Sequence, residues 1–205
     1  MEKFIIPLIH FVLLGFLPLR RMRAGTDPRF AAACGQILAV HREDYERAGG
    51  HAAIPGRIHD AVALAHLFRS RALTTDLFDA TDSFRCRMYQ RAPEVLQGFA
   101  KNAHEGVGSP RLIIPATLIL LGGQVLPFVL LAAAASPLSL VLAGIGAAAA
   151  FFPRLAGVAR FRQSLAGALL HSIGICALVR IQWFALFRFL LKRPAVWKGR
   201  SCLPS

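Results

Sequence analysis

The chain has 205 residues, 55% hydrophobic and only 17% charged, with a mean hydropathy of +0.51 and a formal net charge of +13. Soluble globular domains run to about 45–50% apolar and about 25% charged residues, so an ordinary soluble protein is excluded. All 11 acidic residues lie at or before Glu105, while residues 106–205 carry 10 basic groups and no acid. Those basic groups stand between long apolar runs, the pattern of loops flanking membrane spans and not of a nucleic-acid surface.

In chain order, Phe4 to Leu19 is apolar but interrupted by Pro7, His10, Gly15 and Pro18. It is shorter than the ~20 residues that cross a bilayer. Arg20, Arg21 and Arg23 follow it, where a signal peptide would carry small residues. The reading for 1–23 is therefore an apolar segment at the membrane surface, with a signal-anchor as the alternative.

Residues 24–110 read as part of an α/β domain. Gln36 to Val40 is predicted as a short buried strand, and His41 to Ala48 as a helix stopped by Gly49-Gly50. Asp60 to Ala72 is predicted as a second helix, apolar at Val62, Ala65 and Leu67–Phe68, with Arg69 and Arg71 in its last turn. Thr74 to Phe78 fits a strand, and Pro93 to His104 a third helix with Pro93 in its first turn. These strands are too few for a sheet of their own.

Residues 111–191 read as transmembrane. Leu112 to Ala135 is a span, Ser136-Pro137 a tight turn, and Leu138 to Phe152 a returning helix whose Gly144 and Gly146 allow close packing. Arg154, Arg160 and Arg162 then mark a cytoplasmic loop. Leu165 to Leu191 is read as a span or re-entrant piece to about Val179, followed by an interfacial piece around Trp183 to Leu191. Residues 192–205 form a basic cytoplasmic tail. Cys34, Cys86, Cys176 and Cys202 show no metal-site spacing and read as reduced thiols.

No HExxH, GxSxG, GxxxxGK[ST], strand-borne GxGxxG or Asp-x-Asp is present. What remains is a series in 34–105: Cys34-Gly35-Gln36, Gly49-Gly50-His51, His59-Asp60, Arg85-Cys86-Arg87-Met88-Tyr89 and Lys101-Asn102-Ala103-His104-Glu105-Gly106. Each has a plain structural alternative. Asp60 suits a helix N-cap, Arg85 and Arg87 a solvated edge, His51 and His104 the surface, and Lys101 a contact to lipid headgroups.

The order of these motifs, ending in transmembrane helices and Trp197-Lys198-Gly199-Arg200, resembles the C-terminal half of membrane-bound family-two glycosyltransferases of the inverting GT-A type. The nearest branch is the ceramide-glucosyltransferase-like and hopanoid- or carotenoid-associated enzymes, and the resemblance runs from Glu2 to Arg200. It implies a partial GT-A-like α/β catalytic segment over 24–110 followed by an α-helical transmembrane region. It implies Asp60 as catalytic base, with His59-Asp60 in place of the usual Glu-Asp. It implies Arg87 as a substrate-binding arginine, although Phe84 and Met88 replace the Gln and Trp of the family's Gln-x-x-Arg-Trp motif. His51 and Lys101 are further substrate-binding candidates.

The family also carries an upstream nucleotide-binding half with a metal-binding Asp-x-Asp. The expectation is therefore a fragment, or one part of a split enzyme, with no metal site of its own. A Mg²⁺ or Mn²⁺ ion and the nucleotide-sugar donor would need that upstream half. The implied partners are a lipid acceptor and the bilayer, at the cytoplasmic membrane with the catalytic segment facing the cytoplasm. A non-enzymatic membrane subunit of a partner enzyme is the alternative.

Overall fold

The structure is a computed structural model that describes residues 2–57, 59–103, 108–191, 195–197 and 200–202. Its helices are α1 (Glu2–Ile5), α2 (Leu8–Phe16), α3 (Leu19–Ala24), α4 (Arg42–Ala48), α5 (Asp60–Ser70), α6 (Ala92–Asn102), α7 (Ile113–Gln124), α8 (Leu126–Ala132), α9 (Pro137–Phe161), α10 (Leu165–Leu169) and α11 (His171–Leu190). Two three-residue strands, β1 (Ala195–Trp197) and β2 (Arg200–Cys202), pair antiparallel in the tail. The chain divides into two compact units, Phe16–Cys86 on one side and Met1–Gly15 with Arg87–Ser205 on the other.

The expected α/β segment is corrected by this architecture. Among the described residues of 24–110 there is no strand. Gln36–Val40 is an extended, exposed stretch with Ile37, Leu38 and Val40 open to solvent, and Thr74–Phe78 is likewise irregular. A strand is defined by its ladder, and neither stretch has a neighbouring strand to bond. The backbone of 74–78 is instead fastened by side chains: Arg23 pairs with the Asp76 carboxylate at 2.9 Å, and its Nη2 donates to the Leu77 carbonyl at 3.3 Å.

The Phe16–Cys86 unit is built on α5. Ala61, Leu64, Ala65 and Phe68 recur at helical spacing and are buried. Leu64 and Phe68 meet Ala48 of α4, flanked by Tyr45, Ile54, Leu67 and Leu73. The next residue on that buried face is Arg69, only 2% exposed. Its guanidinium donates to the carbonyls of Asp27 (2.8 Å), Met22 (3.2 Å) and Gly25 (2.7 Å), and to Thr75 Oγ1 (3.0 Å). One side chain thus ties α5 to the segment after α3 and to the segment after itself.

The other unit is apolar. Ile113–Ala132, Pro137–Phe161 and His171–Leu190 are long and apolar enough to cross a membrane. The first comprises α7 and α8, joined at Val125 with Pro127 in the opening turn of α8. Ser136 and Ser139 cap α9 reciprocally, each hydroxyl accepting from the other's backbone N–H. Much apolar surface faces outward, including Leu118, Leu138 and Phe152, as suits helices solvated by lipid.

Two details differ from the sequence reading. Helix α9 continues through Pro153 to Phe161, so Arg154 sits inside a helix and not in a loop. The last apolar stretch breaks at Leu170, after α10, and then runs unbroken through Val179 and the exposed Arg180 to Leu190. The N-terminal segment packs into this unit. Leu8 is buried with Leu120, Ile175, Leu178 and Val179, and Ile5 with Val95 and Ile181. Gly167 and Gly174 permit that approach: a Cβ on Gly167 would fall on the Lys3 carbonyl, and one on Gly174 would lie 3.2 Å from the Phe4 carbonyl.

Candidate functional site

Asp60 opens α5 as its first helical residue, and His59 holds the capping position without a side-chain cap bond. The expectation that Asp60 competes as the N-cap is thereby shifted by one residue. Its carboxylate is exposed and its Oδ1 accepts from the backbone N–H of Ala61 at 2.8 Å. Among the described residues no ion pair involves it. The helix N-terminus favours the negative charge there. Gly35 lies beside it: a Cβ added at Gly35 would meet Ala61 Cβ at 3.5 Å and Asp60 Oδ1 at 3.9 Å. Two of the motifs singled out in sequence, Cys34-Gly35-Gln36 and His59-Asp60, are therefore neighbours in space. Cys34 itself is half-buried, and burial pushes its thiol above the usual range, so it is not a primed nucleophile.

His51 belongs to a turn whose logic is local. Helix α4 ends at Gly49 with φ +88°, and Gly50 follows with φ +51°. Both lie in the left-handed region that glycine adopts without strain. Gly50 is also covered by the Tyr45 ring, so that a Cβ there would collide with it. The Tyr45 hydroxyl accepts from the His51 backbone N–H at 3.0 Å and shares a 2.6 Å hydrogen bond with His51 Nδ1. Tyr45 is the partner that the sequence reading missed. Its signal was present: an aromatic residue six positions before the histidine, one and a half turns back across a Gly-Gly stop.

Arg87 and Lys101 fall in the other compact unit, Arg87 as its first residue after the Phe16–Cys86 segment. Arg87 is exposed on an irregular segment, and Lys101 is half-buried in the last turn of α6. Between them, Tyr89 is seated on α6, its ring filling the space over Gly98 where no Cβ fits. Burial pushes the Tyr89 hydroxyl above its ordinary range. Glu94 accepts from the backbone N–H groups of Gln90 (2.9 Å) and Arg91 (3.3 Å), which lowers its carboxyl and fixes the entry into α6. The Asn102 side chain and His104 lie outside the described residues.

Asp60 and His51 thus share one unit, while Arg87 and Lys101 share the other. Among the described residues no group of three or more His, Cys, Asp or Glu is placed to hold a metal ion.

No family model matches the chain, and no solved structure matches it. Part of the chain is similar to the protein named 4,4'-diaponeurosporenoate glycosyltransferase from Staphylococcus aureus, with 29% identity over 89 residues. The matched stretch is 43% of this chain and only 24% of that relative's length.

Proposed function

We propose that this chain is the acceptor-side part of a membrane-bound glycosyltransferase that moves a sugar from a nucleotide-sugar to the hydroxyl of a lipid. The observation that carries the reading is the similarity to a protein named a glycosyltransferase, in a chain with three helices long and apolar enough to cross a membrane. Only glycosyl transfer is carried over from the relative's name. The inverting course, the lipid acceptor and the cytoplasmic face are this proposal's own.

In the proposed reaction Asp60 takes the proton of the acceptor hydroxyl as that oxygen attacks the anomeric carbon. The bond from that carbon to the diphosphate breaks, and the electron pair leaves with the nucleoside diphosphate. The resemblance alone offers Arg87 to offset the charge that develops there, and His51 and Lys101 to contact substrate. An exposed carboxylate that among the described residues accepts from Ala61 N–H alone suits a base that must meet an incoming hydroxyl.

The test is Asp60→Asn, assayed for transfer from a nucleotide-sugar together with the upstream half that the resemblance implies. The amide oxygen still accepts from Ala61 N–H, so the helix start survives. Loss of a positioned base costs about 10²–10⁴ in rate. Turnover should collapse while folding and donor binding persist. Retention of most of the activity would show that Asp60 serves the helix and not the reaction.

A further inference from the structure

The apolar unit contains a buried cation that no described residue pairs with. Arg154 lies on α9 beside Pro153 and is only 1% exposed. Its Nη1 donates to Gln163 Oε1 at 3.2 Å and its Nη2 to the Gly167 carbonyl at 3.4 Å, both long bonds to neutral acceptors. Its buried Nε–H has no acceptor among the described residues. Residues 106–205 contain no acid, and among the described residues no ion pair involves Arg154. A buried charge is ordinarily paired.

The surroundings are built and not incidental. Gln163 donates its amide to His10 Nδ1 at 2.9 Å, and the His10 ring stacks on Phe161 at 5.1 Å. One residue along α2, Phe11 packs edge-on against His171, which is fully buried. His171 Nε2 bonds Gln124 Oε1 at 2.9 Å, and Ser172 Oγ donates to the Gln124 carbonyl at 2.9 Å. His171 Nδ1 is a second buried polar atom without a partner among the described residues. Ionisable and polar side chains inside a spanning region are costly and mark binding or transport paths.

Depth narrows the ligand. Arg154 stands seven residues before the end of α9, roughly 10 Å along the axis, and that end carries the exposed Arg160 and Arg162. Arg154 therefore lies in the half of α9 that ends at Arg160 and Arg162. A long cationic side chain so near an interface ordinarily extends toward water. Arg154 reaches toward that end of α9 but stays inside the protein, held by Gln163 and Gly167.

We propose that Arg154 anchors a subsite for the oxyanion headgroup of a membrane amphiphile, a carboxylate or phosphate on a long apolar chain. The planar guanidinium, through Nε and the remaining Nη hydrogens, presents paired donors that match such a headgroup. Gln163 holds the fork in place, His10 orients Gln163, and Arg160 and Arg162 draw the anion to the entrance. The inference stands whether or not the chain is a transferase.

The test uses the full chain in a neutral maltoside detergent. Binding of oleate, phosphatidate and phosphatidylcholine is measured by thermal shift and native mass spectrometry for the wild type and Arg154→Gln. Oleate, phosphatidate or both should stabilise the wild type, and which of them does identifies the headgroup. Phosphatidylcholine should not. Arg154→Gln should weaken anion binding by roughly ten- to hundred-fold, the worth of one charge-assisted hydrogen bond. Its own melting temperature without lipid should hold or rise, because an unpaired buried charge is removed. A residue that merely staples α10 to α9 predicts the opposite, a lower melting temperature with lipid response intact. In parallel, a photoreactive fatty acid on the wild type should label residues 154–167, a readout that does not depend on the variant folding. No response to either acid, an equal response to phosphatidylcholine, an intact response in Arg154→Gln, or labelling confined elsewhere would each overturn the proposal.

Discussion

Replacing Arg69 with methionine should loosen the Phe16–Cys86 unit more than any change at a neighbouring arginine. The substitution keeps a long apolar stem on the buried face of α5 but removes every donor. Three backbone carbonyls, of Met22, Gly25 and Asp27, and the Thr75 hydroxyl would lose their hydrogen bonds at once. Leaving a buried acceptor unsatisfied costs about 1–3 kcal/mol, and most of these four are only partly buried. Relief of the guanidinium's own desolvation offsets some of the loss, so a net cost of about 3–5 kcal/mol is expected. Domains are stable by about 5–15 kcal/mol, so much of the unit's margin would go. Hydrogen exchange read by mass spectrometry reports this locally. Amides in 22–30 and 73–77 should exchange at least about 100-fold faster, since each 1.4 kcal/mol is tenfold. Arg71→Met, at an exposed position two residues on, should stay within about 0.5 kcal/mol of wild type. Unchanged protection in Arg69→Met, or equal effects of the two variants, would refute the assignment of Arg69 as the tie between these segments.

Three further outcomes follow. Gly50→Ala should destabilise the α4–α5 connection by at least about 1–3 kcal/mol, from positive φ and from collision with the Tyr45 ring, while Tyr45→Phe should cost only about 1 kcal/mol; circular dichroism during chemical denaturation ranks the two, and the reverse order would contradict the geometry. The Arg29 guanidinium, bonded to Asp27, holds that carboxyl at about 2. Because its folded value is depressed, its contribution to stability is present above the unfolded carboxylate range and is lost as pH falls toward about 2. Carboxyl-detected NMR should show that midpoint, and Arg29→Gln should move it upward; a midpoint in the ordinary range would deny the pairing. Finally, alkaline carbonate should not strip the chain from membranes, and recovery in the soluble fraction would refute the spanning reading of Ile113–Ala132.

The helices were legible because their causes are local. Gly49-Gly50 stops α4, the Ala61, Leu64, Ala65 and Phe68 stripe makes α5, and Ser136-Pro137 starts α9. The strands were misread because a strand's cause is not local. Gln36–Val40 has β-like composition, but composition supplies no partner, and without a ladder the segment stays extended and exposed. Arg69 was read as a last-turn residue favoured by the helix dipole. Its position four residues after Ala65 and eight after Ala61 put it on the buried face, which periodicity could have revealed. Its acceptors could not be read, since they are carbonyls some 42 to 47 residues earlier.

The same division runs through the candidate sites. Asp60, His51, Arg87 and Lys101 were named through the family resemblance, and the structure adds that Asp60 begins a helix beside Gly35 while His51 is bonded to Tyr45. The polar cluster in the apolar unit was invisible as a cluster, because His10 and Gln163 meet across 153 positions and His171 and Gln124 across 47. One property of it, however, was already written in the composition. A half-chain with ten cations and no acid reads as membrane protein because exposed cations can sit among headgroups. That account fails for a cation turned inward. Once α9 is seen to bury Arg154, the absence of acid from residues 106–205 means that nothing in its own half can neutralise it. Of the acids nearer the start of the same unit, Glu94 is bonded to the Gln90 and Arg91 amides, Glu2 forms no ion pair with Arg154 among the described residues, and Glu105 lies outside the described residues. A charge that the fold conceals and does not balance is most simply explained as one that a ligand balances.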